Sequence, residues 1–288
     1  MPRVALITNK KHFIMIRDID ETTEYLRQCL GDRPVPEIAI ILGSGLGLMA
    51  DRIQDQLVIP YAGIPNFVRS TAIGHKGNLI FGTLGGKKVM AMQGRFHYYE
   101  GYTMQQVTFP VRVMARLGVK VLFVSNAAGA VNPTYRVGDM MIITDHINLL
   151  PNPLIGPNLD EFGPRFPDMT TVYSKRIRRL AIEEAEKMGE TLQQGIYVGG
   201  TGPTYETPAE YKFYGAIGGD AAGMSTIPEV IVARHSGLEI FGMSIITNQS
   251  NDLSDTCLNS GDDVVKEANK AAQKMTTLFE RVIGRLEV

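Results

Sequence analysis

The side chains with chemical potential sit in short segments that each follow an apolar run. GSGLG at 43–47 follows IAIIL and leads into a helical pattern, so its backbone N–H groups and the Ser44 hydroxyl could hold an anion. Leu48 fills the final glycine position of a GxGxxG pattern and no Walker lysine follows, which weakens dinucleotide and nucleoside triphosphate readings. A plain tight turn is the alternative. AIGHKG at 72–77 places His75 in a loop, either solvated or facing the same anion. QGRFHYYEG at 93–101 packs Arg95, His97, Tyr98, Tyr99 and Glu100 together past KVMAMQ. A guanidinium forks onto phosphate oxygens in a way that a lysine cannot; the alternative is a surface loop with aromatic anchors.

SNAAGAVNP at 125–133 follows KVLFV, and its small residues either let the backbone approach a ligand or allow close helix-to-sheet packing. In GTGPTYETPAEY at 200–211, Glu206 stands behind Tyr205 and ahead of Thr207 and Pro208, a cap and first residue for a helix. Such a carboxylate can accept N–H donors from a flat heterocycle stacked on the ring. It can equally be a first-turn acid favoured by the helix dipole. Met224 and Ser225 in DAAGMSTIPEV precede another proline-started helix; the thioether suits the face of a sugar or base as well as a core. SIITNQSNDL at 244–253 ends a buried strand in Thr247 and Asn248, where an amide without a partner is costly.

Positioning these loops requires strands that end near one another. Short apolar runs predict strands at 38–42, 78–84, 88–94, 120–126, 139–145, 196–202 and 240–248, with helices near 20–30, 103–117, 173–188, 207–217 and 226–236. From Asp262 onward, Val264, Ala268, Ala271, Met275, Leu278, Val282 and Leu286 form one apolar stripe, which predicts a long helix capped by Ser260 or Asp262. The alternation is that of an α/β protein. The stretch 150–165, rich in proline and glycine, is the one long irregular connection and does not read as a domain boundary. The expectation is one domain over 1–288, with 1–17 as an N-terminal arm.

The chain has 288 residues, 44% hydrophobic and 20% charged, with a formal net charge of −1. That composition is ordinary for a globular protein and offers no electrostatic case for nucleic acid or an anionic membrane. The cysteines, Cys29 and Cys257, lack CxxC spacing, so neither a disulfide framework nor a zinc cluster is expected. Polar residues interrupt the N-terminus before a signal-peptide core forms, and no apolar run approaches the ~20 residues of a membrane span. The expected location is the cytoplasm.

Taken together, GSGLG, GHKG, QGRFHYYEG, SNAAGAVNP, DHINL, GPTYET, AAGMSTIPEVIVARH and ITN resemble the trimeric purine nucleoside phosphorylases, in the family's order from about Leu26 to the C-terminus. The resemblance implies a mixed sheet with a distorted barrel flanked by helices, and a homotrimer. It implies that Ser44, His75, Arg95, His97 and Ser225 bind phosphate with the backbone of Ala127. Tyr99 and Met224 would contact ribose; Asn126, Ala127, Tyr205, Glu206, Thr247 and Asn248 would form the base pocket. Phe166, in GPRFPDM, resembles the aromatic that a neighbouring subunit lends to the ribose side. No cofactor or metal is implied, phosphate being a co-substrate.

Phosphorolysis of an N-glycosidic bond passes through a ribosyl cation with a purine anion leaving, so the implied catalytic groups stabilise charge: Asn248, Glu206 and His97. Asn248 donates to purine N7, and an ionised Glu206 accepts from N1–H of a 6-oxopurine. A 6-aminopurine lacks that hydrogen, which favours inosine and guanosine. An aspartate at 248 would instead resemble methylthioadenosine phosphorylases. Gly261 stands where the animal-type members carry a histidine for the ribose 5′-hydroxyl. This keeps methylthioadenosine phosphorolysis as an alternative, with Tyr99, Asn259 or water as substitutes for the histidine. A non-catalytic purine-binding regulator is the alternative from another class.

Overall fold

The computed structural model describes residues 2–72, 74–249 and 261–288, without the side chains of 2–14, 261, 263–265 and 270. Its sheet grows from β1 (Ile38–Leu42), in which every residue is buried. Neither face meets water, which is why the strand reads as an unbroken apolar run. β4 (Lys87–Gln93) and β5 (Val121–Ala130) flank β1 in parallel. Parallel pairing brings their C-terminal ends to one edge, the edge at which open α/β sheets bind ligands. β3 (Asn78–Leu84) and β2 (Gln54–Pro60) extend the β4 side in antiparallel fashion. On the other side β5 is followed by β8 (Ala221–Gly223), β7 (Gln193–Gly199), β6 (Met140–Asn148) and β9 (Glu239–Gln249), and β9 pairs back onto β5. These strands close into a barrel, while β2, β3, β4 and β1 form an open wing of the same mixed sheet. The expected α/β architecture is therefore the one observed.

Six helices pack around the sheet among the described residues: α1 (Pro2–Leu30), α2 (Met104–Leu117), α3 (Lys175–Lys187), α4 (Pro208–Ala216), α5 (Ile227–His235) and α6 (Gly261–Arg285). Local signals start them. Thr103 and Gln106 cap each other's backbone at α2, and Thr207 and Glu210 do the same at α4 with Pro208 opening the helix. α6 buries the predicted stripe from Ala268 to Leu286 against β9 and α3; Val264 carries no described side chain, and Ser260 lies outside the described residues. α1 begins far ahead of the predicted start at 20 and includes most of the predicted arm in one helix. No helix among the described residues is long and apolar enough to cross a membrane. Cys29 is a free thiol, and Cys257 is outside the described residues.

Two strands escape the sequence reading. β2 is an edge strand with mostly exposed side chains, and β8 is three small residues long. β5 also runs further than expected, to Ala130, because the Ala-Ala-Gly stretch continues the ladder with β9 instead of turning away.

Candidate active site

A cavity of about 130 Å³ opens where the strand ends meet, between the wing and the barrel. Ser44, Arg95, His97, Tyr99, Asn126, Ala127, Tyr205, Glu206, Met224, Ser225, Thr247 and Asn248 all line it. His75 stands just behind, its Nε2 3.3 Å from Ser44 Oγ. Phe166 does not line the cavity; its ring is 87% exposed, with the Arg165 guanidinium 5.8 Å from its centroid. A larger cavity of about 590 Å³ lies between α1, α2 and residues 153–159 and contains none of the candidate residues.

The polar end of the site is built around Arg95, which is 1% exposed. Its Nη1 donates to Ser225 Oγ at 2.7 Å and Thr226 Oγ1 at 3.0 Å, and its Nη2 donates to the Ser125 carbonyl at 2.8 Å. Nε lies 3.3 Å from Glu229 Oε1 but out of line for a hydrogen bond, so the pair is held by charge alone. A buried charge needs such compensation. Thr226 occupies a strained positive-φ conformation (φ 71°, ψ −54°), spanned by the Ile227 N–H donating to the Ser225 carbonyl at 2.8 Å, and is fully buried. There its hydroxyl accepts from Arg95 and from the Asn126 amide at 2.8 Å. Asn126 Oδ1 is buried without a hydrogen-bond partner, an acceptor available to a ligand donor.

His97 is fixed by Glu100. The carboxylate accepts from the His97 backbone N–H at 2.8 Å and ring Nδ1 at 3.0 Å, and from Thr71 N and Oγ1 at 2.7 and 2.6 Å. Burial alone would push the Glu100 carboxyl up, but the hydrogen bonds from His97 and Thr71 prevail and bring it down to about 2. With Nδ1–H held by Glu100, Nε2 is the free ring nitrogen. His97 stacks on Tyr99 with centroids 4.6 Å apart and on His75 at 5.2 Å. Burial, then the neighbouring charges of His97 and Arg95, lower His75 to about 3, so it is neutral at physiological pH. Gly94, at φ 113°, permits this contact: a Cβ there would lie 2.7 Å from His75 Cβ. Burial, then the Glu100 charge, raises the Tyr99 phenol to about 12.

The opposite end carries Glu206, Thr247 and Asn248. Consecutive strand residues normally point to opposite faces. Here the register between β5 and β9 shifts, Ala128 pairing with Ile246 and Gly129 with Asn248, so that Thr247 is the extra residue of a bulge. The bulge lets both Thr247 and Asn248 face the cavity. Thr247 Oγ1 donates to Asn248 Oδ1 at 3.1 Å, and Asn248 Nδ2 donates to the Tyr211 hydroxyl at 3.4 Å. Burial raises the Glu206 carboxyl, opposed by its own backbone N–H and by the Tyr211 hydroxyl. Tyr211, Glu100 and Thr226 carry no role in the sequence reading. Tyr211 was visible only as the close of GPTYETPAEY, one turn into the helix after Glu206.

Chemically, this is an elongated site with a cationic, hydroxyl-lined end suited to an oxyanion and an amide–carboxylate end suited to a flat heterocycle. The family model described as the Phosphorylase superfamily matches residues 37–284. The chain belongs to that superfamily. Among its relatives is purine nucleoside phosphorylase 1 of Geobacillus stearothermophilus, 52% identical over 269 residues that cover 93% of this chain and 97% of that protein. The purine nucleoside phosphorylase of Rattus norvegicus is 48% identical over 265 residues, covering 90% of this chain and 91% of its own. Among solved structures, Schistosoma mansoni purine nucleoside phosphorylase in complex with inosine superposes with a TM-score of 0.89 at 43% identity, covering 95% of this chain and 98% of that one. A structure of Schistosoma mansoni purine nucleoside phosphorylase in complex with adenosine gives 0.90 at 45% identity and the same coverage.

Proposed function

We infer that this phosphorylase-superfamily chain is a purine nucleoside phosphorylase that cleaves purine ribonucleosides and deoxyribonucleosides, inosine and guanosine foremost, with phosphate. The observation that carries the reading is the pairing of Glu206 and Asn248 at one end of a cavity whose other end is framed by Ser44, Arg95, His97 and Ser225. Phosphate would sit against the Ser44 and Ser225 hydroxyls, His97 Nε2 and the Ala127 backbone, with Arg95 supplying positive charge through the Ser225 hydroxyl that it holds. His75 would act behind Ser44 as a neutral partner. Ribose would lie between Tyr99 and Met224. The base would stack near Tyr205, bordered by Asn126, Ala127 and Thr247.

In the reaction the C1′–N9 bond breaks with its electron pair passing to the purine, and a phosphate oxygen forms the new bond to C1′. Asn248 stabilises the departing anion through an amide N–H at N7. Glu206 as carboxylate accepts from N1–H and, in guanosine, from the 2-amino group. These steps ask for no resident cofactor or metal, phosphate being a co-substrate. The proposal includes a homotrimer in which Phe166, exposed in the isolated chain, closes the ribose side of a neighbour's cavity, and a cytoplasmic setting for purine salvage.

The test is a phosphate-dependent panel of inosine, guanosine, adenosine and methylthioadenosine. Faster base release from inosine and guanosine is expected. Faster turnover of methylthioadenosine would replace this reading, and tight base binding with no turnover of any nucleoside would turn it into a purine-binding regulator.

A further inference from the structure

We propose that Tyr211 is a positioning and specificity-determining residue whose hydroxyl donates to the Glu206 carboxylate while accepting from the Asn248 amide, so that both groups meet the purine as one unit. This rests on the purine phosphorolysis reading above. Tyr211 is 8% exposed and lines the cavity from the first turn of α4. Asn248 Nδ2 lies 3.4 Å from its hydroxyl oxygen, Glu206 lines the same cavity, and the Tyr211 hydroxyl acts to hold the Glu206 carboxyl down against burial. A phenol has one O–H to give and lone pairs to receive, so both bonds can exist together.

The structure shows a chain from Thr247 through Asn248 to the Tyr211 hydroxyl, whose own O–H the proposal directs to Glu206 in the same cavity. Thr247 occupies the amide oxygen and Tyr211 takes one of the two amide hydrogens, which leaves the second for the base. The chain is packed tightly from the backbone side. A Cβ on Gly129 would lie 2.7 Å from the Tyr211 hydroxyl and 2.9 Å from Asn248 Nδ2, so the glycine is the space in which the pair meets.

The electrostatic setting of Glu206 gives Tyr211 its leverage. From α4 it faces Tyr211, Tyr214 and the like charge of Glu210. Tyr205 is on its own loop, and β9 contributes only the uncharged Thr247 and Asn248. Across the cavity are Tyr99, His97 and Arg95, with Glu100 behind them. Among the described residues no cation bonds Glu206, so burial favours its neutral form and the Tyr211 hydroxyl is the side-chain donor opposing this. Removing that donor raises the Glu206 carboxyl further. A neutral Glu206 presents O–H to part of the purine edge that itself offers N1–H, so 6-oxopurine turnover falls on the acid side.

The experiment is kcat/KM for inosine against pH, from about 5 to 8, for the intact protein and Tyr211→Phe, with phosphate KM measured alongside. The acidic limb is expected to move up by about one pH unit in Tyr211→Phe, with a loss of about fivefold at its old midpoint that approaches about tenfold at lower pH, and phosphate KM changed by less than about twofold. In a Glu206→Gln background, Tyr211→Phe is expected to shift no limb, since the group that Tyr211 acts upon no longer titrates. An unmoved limb, or an equal loss for phosphate and nucleoside, overturns the proposal and makes Tyr211 a packing residue. Wild-type turnover of inosine separates the two levels of inference: its absence removes the parent reading, while its presence with an unmoved limb removes only the role of Tyr211.

Discussion

Glu100→Gln should weaken both the fold and the oxyanion end of the site, with a pH signature that identifies the cause. Glu100 has a side chain only 2% exposed, and it accepts hydrogen bonds from His97 and Thr71 through both backbone and side chain. A carboxyl lowered from 4.5 to about 2 corresponds to about 3 kcal/mol of preference for the ionised form. The loop it anchors is partly open to water, and screening reduces the contribution to about 2 kcal/mol. The folded value lies below the unfolded one, so the contribution is present in full above about 4.5 and is lost as pH falls through about 2. Urea unfolding of both proteins at pH 7 and pH 3 reads this directly. The variant should be less stable by about 2 kcal/mol at pH 7 and by under about 1 kcal/mol at pH 3. Because Glu100 also holds Nδ1–H of His97, phosphate KM should rise roughly tenfold with nucleoside KM little changed. A stability difference independent of pH, or an unchanged phosphate KM, would refute the reasoning.

Three further substitutions probe the rest of the site. Asn248→Asp exchanges a donor for an acceptor beside the departing base; the inosine-to-adenosine ratio of kcat/KM should fall by about tenfold or more, and an unchanged ratio would remove the specificity role given to Asn248. Arg95→Ala leaves Glu229 buried at 3% exposure without its cation, so denaturant unfolding should show a loss of about 3–5 kcal/mol, and phosphate KM should rise more than nucleoside KM. Equal effects on both substrates would assign Arg95 to folding alone. Gly129→Ala forces a methyl between the Tyr211 hydroxyl and the Asn248 amide, and steady-state kinetics should show roughly a tenfold loss in nucleoside kcat/KM with phosphate KM preserved.

The strands that the sequence predicts best are those buried on both faces. β1, buried throughout, and β3, buried at Leu79, Ile80, Phe81 and Leu84, begin and end where their apolar runs do, because burial and pattern there coincide. β2 lacks that correspondence, since an edge strand with one wet face carries the polar residues of a loop. β5 misled in the opposite direction: Ala127 to Ala130 read as a ligand loop, and Ala127, Ala128 and Gly129 do line the cavity, yet the whole stretch remains in the ladder with β9. Small residues permit both roles at once.

The same distinction separates the legible site residues from the missed ones. Arg95, Glu206 and Asn248 stand out because charged or amide groups after apolar strands need partners. Tyr211 and Thr226 do not, since a tyrosine in a short helix and a threonine before one are ordinary until the fold supplies their neighbours. For Thr226 the decisive feature is a backbone angle, which no residue type announces. Two polar residues in succession, Thr247 and Asn248, share one face because of the β9 bulge, a register feature absent from any local pattern. Gly261 opens α6, while Asn259 and its neighbours lie outside the described residues.

Phosphorus NMR of the purified protein with inosine and inorganic phosphate, followed together with hypoxanthine release, tests the two-ended site most directly. The expected result is ribose 1-phosphate appearing one-for-one with hypoxanthine and neither forming without phosphate. Hypoxanthine accompanied by free ribose, at a rate indifferent to phosphate, would contradict it.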